Sequence, residues 1–98
     1  MTIEQKREGN ALVLALEGRL DTLTAPQLEA ELKTALPGVT ALTFDLEKLD
    51  YISSAGLRVL LSAQKTMNRQ GTMKVKNANE MILEIFEVTG FSDILTIA

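Results

Sequence analysis

The sequence predicts a single α/β domain: one mixed, mostly parallel sheet of about 4–5 strands packed with about 3–4 helices. Three observations carry this. Short apolar runs alternate with longer stripes at helical spacing, in the order ββαβαβα(β). Glycine, proline and asparagine punctuate the boundaries between them. After an opening hairpin the alternation is regular, which calls for parallel strands joined by right-handed crossovers.

Residues 2–7 read as a first strand, and Glu8-Gly9-Asn10 as its turn. Residues 10–17 form a nearly continuous apolar run, the pattern of a strand covered on both faces. Gly18-Arg19-Leu20-Asp21 ends it. Thr22 or Thr24 can cap a helix that carries Pro26 in its first turn, where a missing N–H costs nothing. Ala25, Leu28, Leu32, Ala35 and Leu36 form its inner stripe, and Pro37-Gly38 stops it.

Residues 41–46 alternate, with Leu42, Phe44 and Leu46 on one face, and residues 47–50 read as a short loop. A helix over about 54–69 follows, with Leu57, Leu60, Leu61 and Met67 inward and Arg58, Lys65 and Arg69 toward water. Gly71 reads as its left-handed cap. Residues 72–76 form a strand with lysines on one face. Asn77 or Asn79 caps a third helix over about 79–89, with Met81, Ile82, Ile85 and Phe86 toward the core and Gly90 closing it. Residues 94–97 make a short last strand or tail.

The chain has 98 residues, which suit one domain (1–98) burying roughly 65% of its unfolded surface. Net charge is −3, and only 4% of residues are aromatic, so neither a basic face nor a stacking platform for nucleic acid is expected. Cysteine and histidine are absent. That excludes disulfides, thiolate and imidazole metal sites, and Ser-His or Cys-His nucleophiles. No Gly-rich phosphate loop is present, so no cofactor is expected. No apolar run approaches the roughly 20 residues that span a bilayer. The N-terminus lacks a signal-peptide core, and a cytoplasmic protein without membrane contact is expected.

The stretch Tyr51-Ile52-Ser53-Ser54-Ala55-Gly56-Leu57-Arg58 places two hydroxyls at a strand-to-helix turn. One reading is helix capping. The other is a modifiable hydroxyl at the carboxyl edge of the sheet, where α/β folds place their sites. Both hold if one serine caps and the other is modified. Ala55 and Gly56 either pack the helix start on the sheet or leave a low surface for a partner. Asp21 is a turn acid or a second contact on the same edge. Asp45 and Asp50 join Asp21 in a conceivable magnesium site, but no lysine is placed to complete it.

Three segments carry a family resemblance across nearly the whole chain: Gly18-Arg19-Leu20-Asp21 with Thr24-Ala25-Pro26-Gln27-Leu28; Tyr51-Ile52-Ser53-Ser54-Ala55-Gly56-Leu57; and Ile85-Phe86-Glu87-Val88-Thr89-Gly90-Phe91. In this order they resemble the bacterial anti-sigma factor antagonists, single-domain members of the STAS fold. The resemblance implies a switch rather than an enzyme. Such proteins bind an ATP-using serine kinase of histidine-kinase-like fold that doubles as an anti-sigma factor. Phosphorylation at the turn ends the complex, and a PP2C-type phosphatase resets it. Many members read Asp-Ser-Ser-Gly or Asp-Ser-Thr-Gly here. Anchored on Gly56-Leu57, Ser53 takes the Asp position, Ser54 the first hydroxyl position and Ala55 the second. The resemblance therefore implies Ser54 as acceptor, with Ser53 as alternative. It also implies a docking surface around Asp21, Thr22, Tyr51, Ser53, Ala55, Gly56 and Arg58. The alternative reading is a STAS module that senses a ligand or binds a protein without phosphorylation. A monomer or weak dimer is expected, the first strand being a candidate open edge.

Overall fold

Leucines at alternate positions decide which face of the sheet is buried. In β2 (Ala11–Leu20), Leu12, Leu14 and Leu16 point inward, opposite Leu42 and Phe44 of β3 (Ala41–Ile52). The computed structural model describes all 98 residues. Its remaining elements are β1 (Thr2–Glu8), α1 (Ala25–Ala35), α2 (Ser54–Gln70), β4 (Thr72–Lys76) and α3 (Glu80–Thr89), followed by a 3₁₀ turn, Phe91–Asp93. The sheet order is β1-β2-β3-β4, the same as the chain order. The first pair is antiparallel and the other two are parallel. The expected last strand shrinks to one bridge between Ile97 and Val75.

Because both crossovers step in the same direction, right-handed connections put α1 and α2 on the same face. One cluster of 25 buried hydrophobic residues fills the space between helices and sheet. This corrects the expectation that β2 is covered on both faces. Val13 and Ala15, on the opposite face, are only half-buried. An apolar run alone does not distinguish the two cases.

β3 is longer than expected. Residues 47–50 continue the strand through register shifts against Ala15–Arg19. The shifts let Leu49 and Ile52 stay buried while Glu47, Lys48 and Asp50 face water. Charge made this stretch look like a loop.

Helix ends differ in detail. Thr24 stands at the N-cap of α1 without a side-chain capping bond, and Thr22 is exposed. Asn79 caps α3, accepting from the Ile82 N–H at 2.8 Å. Gly90 closes α3, as expected, and does so in the left-handed conformation (φ 82°). Gly71 is not: its φ of 170° is extended. A Cβ there would sit 2.6 Å from the Thr40 carbonyl carbon, so close backbone approach selects glycine. On α3 only Ile82 and Phe86 are buried; Ile85 is partly so and Met81 faces water. The expected four-residue inner stripe is thus half as wide.

Candidate functional site

β2 and β3 end side by side. Arg19 pairs with Tyr51 and Leu20 with Ile52, so the two chains leave the sheet at one level. Past that level, β2 turns into the Asp21–Thr24 loop and β3 turns into α2. Two contacts join the turns. The Ser53 N–H donates to the Leu20 carbonyl at 2.9 Å. Gly56 packs against the same residue, where a Cβ would lie 2.9 Å from the Leu20 oxygen and from Ile52 Cγ1. The site therefore lies at the carboxyl edge of the parallel sheet, where α/β folds gather function.

The two serines differ in bonding and exposure. Ser53 is half-buried, and its Oγ accepts from the Gly56 N–H at 3.4 Å, capping α2. Ser54, the first helical residue, is exposed, and its hydroxyl makes no hydrogen bond. The N–H groups of Ser54 and Ala55 belong to the first turn and have no intrahelical acceptor. Arg58 is exposed four residues on, along the same helix face. Gly56 is buried, so it shapes the site from beneath.

Asp21 organises the neighbouring loop. Its Oδ1 accepts from the N–H groups of Leu23 (3.0 Å) and Thr24 (3.1 Å). The Thr24 hydroxyl accepts from the Asp21 N–H at 2.9 Å and donates to the Arg19 carbonyl at 2.7 Å. This carboxylate-centred turn supplies what the expected threonine cap does not. Burial pushes the Asp21 carboxyl upward, but hydrogen bonds from Thr24 and Leu23 and the Arg19 charge outweigh it and hold it below its ordinary value. The Arg19 guanidinium lies 3.7 Å from Asp21 and stacks 4.5 Å above the Tyr51 ring.

A groove of about 280 Å³ opens between the starts of α1 and α2, lined by Thr22, Ala25, Glu29, Ala55, Arg58 and Ser62 among others. Asp21, Thr22, Tyr51, Ser53, Ser54, Ala55 and Arg58 thus share one end of the molecule. Asp45 does not join them. It sits on the uncovered sheet face, accepting from the Asn77 side chain and the Glu47 N–H. Burial pushes its carboxyl up, and these bonds, with Lys76 and Lys6 nearby, bring it below its ordinary value. No three acids gather as metal ligands, so the conceivable magnesium site is not formed.

Sequence reasoning passed over Arg19 and Leu23. Arg19 meets Tyr51 only once the parallel register is known. Leu23 is 88% exposed beside Asp21, and an exposed leucine between two threonines gives no periodic signal.

The family model described as "Mlab, STAS domain" matches residues 3–96. The chain is 36% identical to BtrV of Bordetella bronchiseptica, named as a candidate anti-sigma factor antagonist, covering 100% of this chain and 86% of that protein. An anti-sigma factor antagonist from Mycobacterium paratuberculosis superposes with a TM-score of 0.89 at 21% identity, covering 98% and 83% of the two chains. SpoIIAA has been solved unphosphorylated (TM-score 0.78, 20% identity, 99% and 87% covered) and, as a Bacillus cell fate determinant, phosphorylated (0.77, 21%, 99% and 91%). The fold, the matched span and the closeness to BtrV agree: the chain belongs to the STAS-domain family and is a relative of the anti-sigma factor antagonists.

Proposed function

We propose that this protein is a cytoplasmic anti-sigma factor antagonist that binds an anti-sigma factor with serine-kinase activity and is switched off by phosphorylation at Ser54. One observation carries the choice of residue. Ser53 spends its oxygen on capping α2, while Ser54 presents a free, exposed hydroxyl on the first turn. A kinase can reach Ser54 without unwinding anything.

The physical switch is a change of charge at the docking surface. Phosphate adds about −1.5 to −2 charges and three acceptor oxygens. The first-turn N–H groups and the helix dipole can hold it in place, so no refolding is required. Toward the partner it adds bulk and repulsion on a chain that already carries net charge −3. A loss of about 3–4 kcal/mol of binding weakens the complex some hundredfold or more. Asp21, Thr22, Tyr51, Ser53, Ala55 and Arg58 surround the contact, with Gly56 holding the helix start low. A PP2C-type phosphatase resets the switch. The role is regulatory, and the protein needs no catalytic group of its own.

Incubation with a cognate kinase and ATP, followed by mass-spectrometric mapping, tests this. One phosphate on Ser54, absent from Ser54→Ala, is expected. Undiminished labelling of Ser54→Ala moves the acceptor to Ser53 or beyond. Absence of both labelling and a kinase complex overturns the switch and favours a second reading, a STAS module that senses a small ligand. Its supporting observation is a second groove of about 260 Å³ between α1 and α2, floored by Leu32, Leu36, Val59 and Ala63.

A further inference from the structure

The strand β1 has a free edge. It pairs with β2 without a register shift over all seven residues, contains no proline, and is exposed at six of its seven positions. Nothing in the chain pairs with its outer side. Proteins normally blunt such an edge with charge. Here the charges have an order that does more than repel.

Glu4 and Lys6 lie on the uncovered sheet face, where β2 offers them Ala15 and Val13 as cross-strand neighbours. Neither forms an ion pair within the chain, whose one salt bridge joins Arg19 and Asp21. Lys6 is near enough to Asp45 to feel its charge but not to pair with it. Both charges are therefore available at the edge.

We propose that β1 pairs antiparallel with β1 of a second copy, centred on Gln5, to form a continuous eight-stranded sheet. In this register Glu4 stands opposite the partner's Lys6, and Lys6 opposite the partner's Glu4. Ile3 faces Arg7, and Thr2 faces Glu8, so the whole strand is used. Slipping by two residues in either direction sets Glu4 against Glu4 or Lys6 against Lys6, where like charges oppose pairing. The same charges that discourage arbitrary edge pairing thus select one symmetric register. The two-fold axis reverses the strands, so the two carboxyl edges, each with its Ser54, point to opposite ends of the double sheet. Both remain open to a partner.

Sedimentation equilibrium across micromolar to millimolar protein tests the pairing by charge exchange. The wild-type chain is expected to dimerise reversibly at the upper end. Glu4→Lys and Lys6→Glu each place like charges opposite one another twice and are expected to weaken dimerisation about tenfold or more. An equimolar mixture of the two variants restores both opposite-charge pairs and is expected to recover wild-type association as a heterodimer. All these positions are exposed, so unchanged circular dichroism is expected to accompany the loss. A wild-type chain that stays monomeric to millimolar concentration overturns the proposal. So do single variants that associate like wild type, or a mixture no better than its components. Phosphorylation at Ser54 is scored separately, so failure here leaves the switch reading intact.

Discussion

Gly56 and Leu20 meet so closely that no side chain fits between them. A Cβ on Gly56 would lie 2.7 Å from Leu20 Cγ and 2.9 Å from the Leu20 carbonyl oxygen, which already accepts from Ser53. The neighbours are a branch carbon and backbone, neither of which yields easily. Gly56→Ala gains up to about 1 kcal/mol of helix propensity but overpacks at a typical cost of about 1–3 kcal/mol. A net loss of stability is expected in urea unfolding, with kinase binding weakened as the start of α2 is pushed outward. Wild-type stability with wild-type binding would show that the helix start is not set by this contact.

The two serines should separate by assay. Ser53→Ala removes the cap of α2 and is expected to cost about 0.5–1 kcal/mol, the lower part of the usual range because the bond is long at 3.4 Å. Ser54→Ala removes an exposed hydroxyl and is expected to stay within about 0.5 kcal/mol of wild type. Phosphate incorporation should show the reverse pattern: lost in Ser54→Ala and retained in Ser53→Ala.

Asp21 and Asp45 both titrate below their ordinary value in the folded protein. The unfolded chain then binds more protons in the acid range, so stability rises with pH there. Their contribution is complete above the unfolded value of about 3.9 and is lost as pH falls through the lower folded values. Denaturation followed between pH 7 and pH 2 should show the wild type losing stability below about pH 4. Asp21→Asn should flatten that limb. An unchanged slope would remove Asp21 from the acid response.

Exposed Arg19 stacks on half-buried Tyr51 beside the proposed docking surface. Tyr51→Phe keeps the ring and is expected to leave stability unchanged. Arg19→Ala loses the stack and the Asp21 ion pair, at a cost of about 0.5–1 kcal/mol. If the pair meets the kinase, Arg19→Ala slows complex formation more than it lowers stability, as read by surface plasmon resonance against thermal unfolding.

Gly71 and Gly90 give a contrast in mechanism. Gly90 is left-handed with open space around it, so Gly90→Ala is expected to cost about 1–2 kcal/mol of backbone strain. At Gly71 the backbone is relaxed but the Thr40 carbonyl occupies the place of a side chain. Gly71→Ala must separate α2 and β4 from the β3 entry loop and is expected to be the more damaging of the two. Comparison of their unfolding midpoints decides the order.

Elements with strong periodicity were legible in the sequence: the leucine stripe of α1, the alternation of β3 through Leu46, and the long α2. The serine turn was legible as the junction of β3 and α2, and the structure adds that Ser53 caps the helix while Ser54 is exposed. What escaped depended on strand register. The continuation of β3 through Glu47, Lys48 and Asp50 requires a bulged partner strand, which local charge disguises. The meeting of Arg19 with Tyr51 and the packing of Gly56 on Leu20 are likewise contacts across a register that no single segment encodes. The carboxylate-centred turn at Asp21 competed with two threonines of equal capping propensity, and only geometry separates them.

The identity of sheet order and chain order bears on how the molecule is made. Each strand's first partner is the strand synthesised just before it. The hairpin can close as soon as it emerges from the ribosome, and β3 and β4 can then be added outward, each brought back by its own helix. No strand waits for one not yet translated, as it would in a sheet whose centre is laid down last. Folding of the sheet during synthesis can therefore proceed in one direction, with the Ala98 N–H bonding the Val75 carbonyl at 2.9 Å on the far margin.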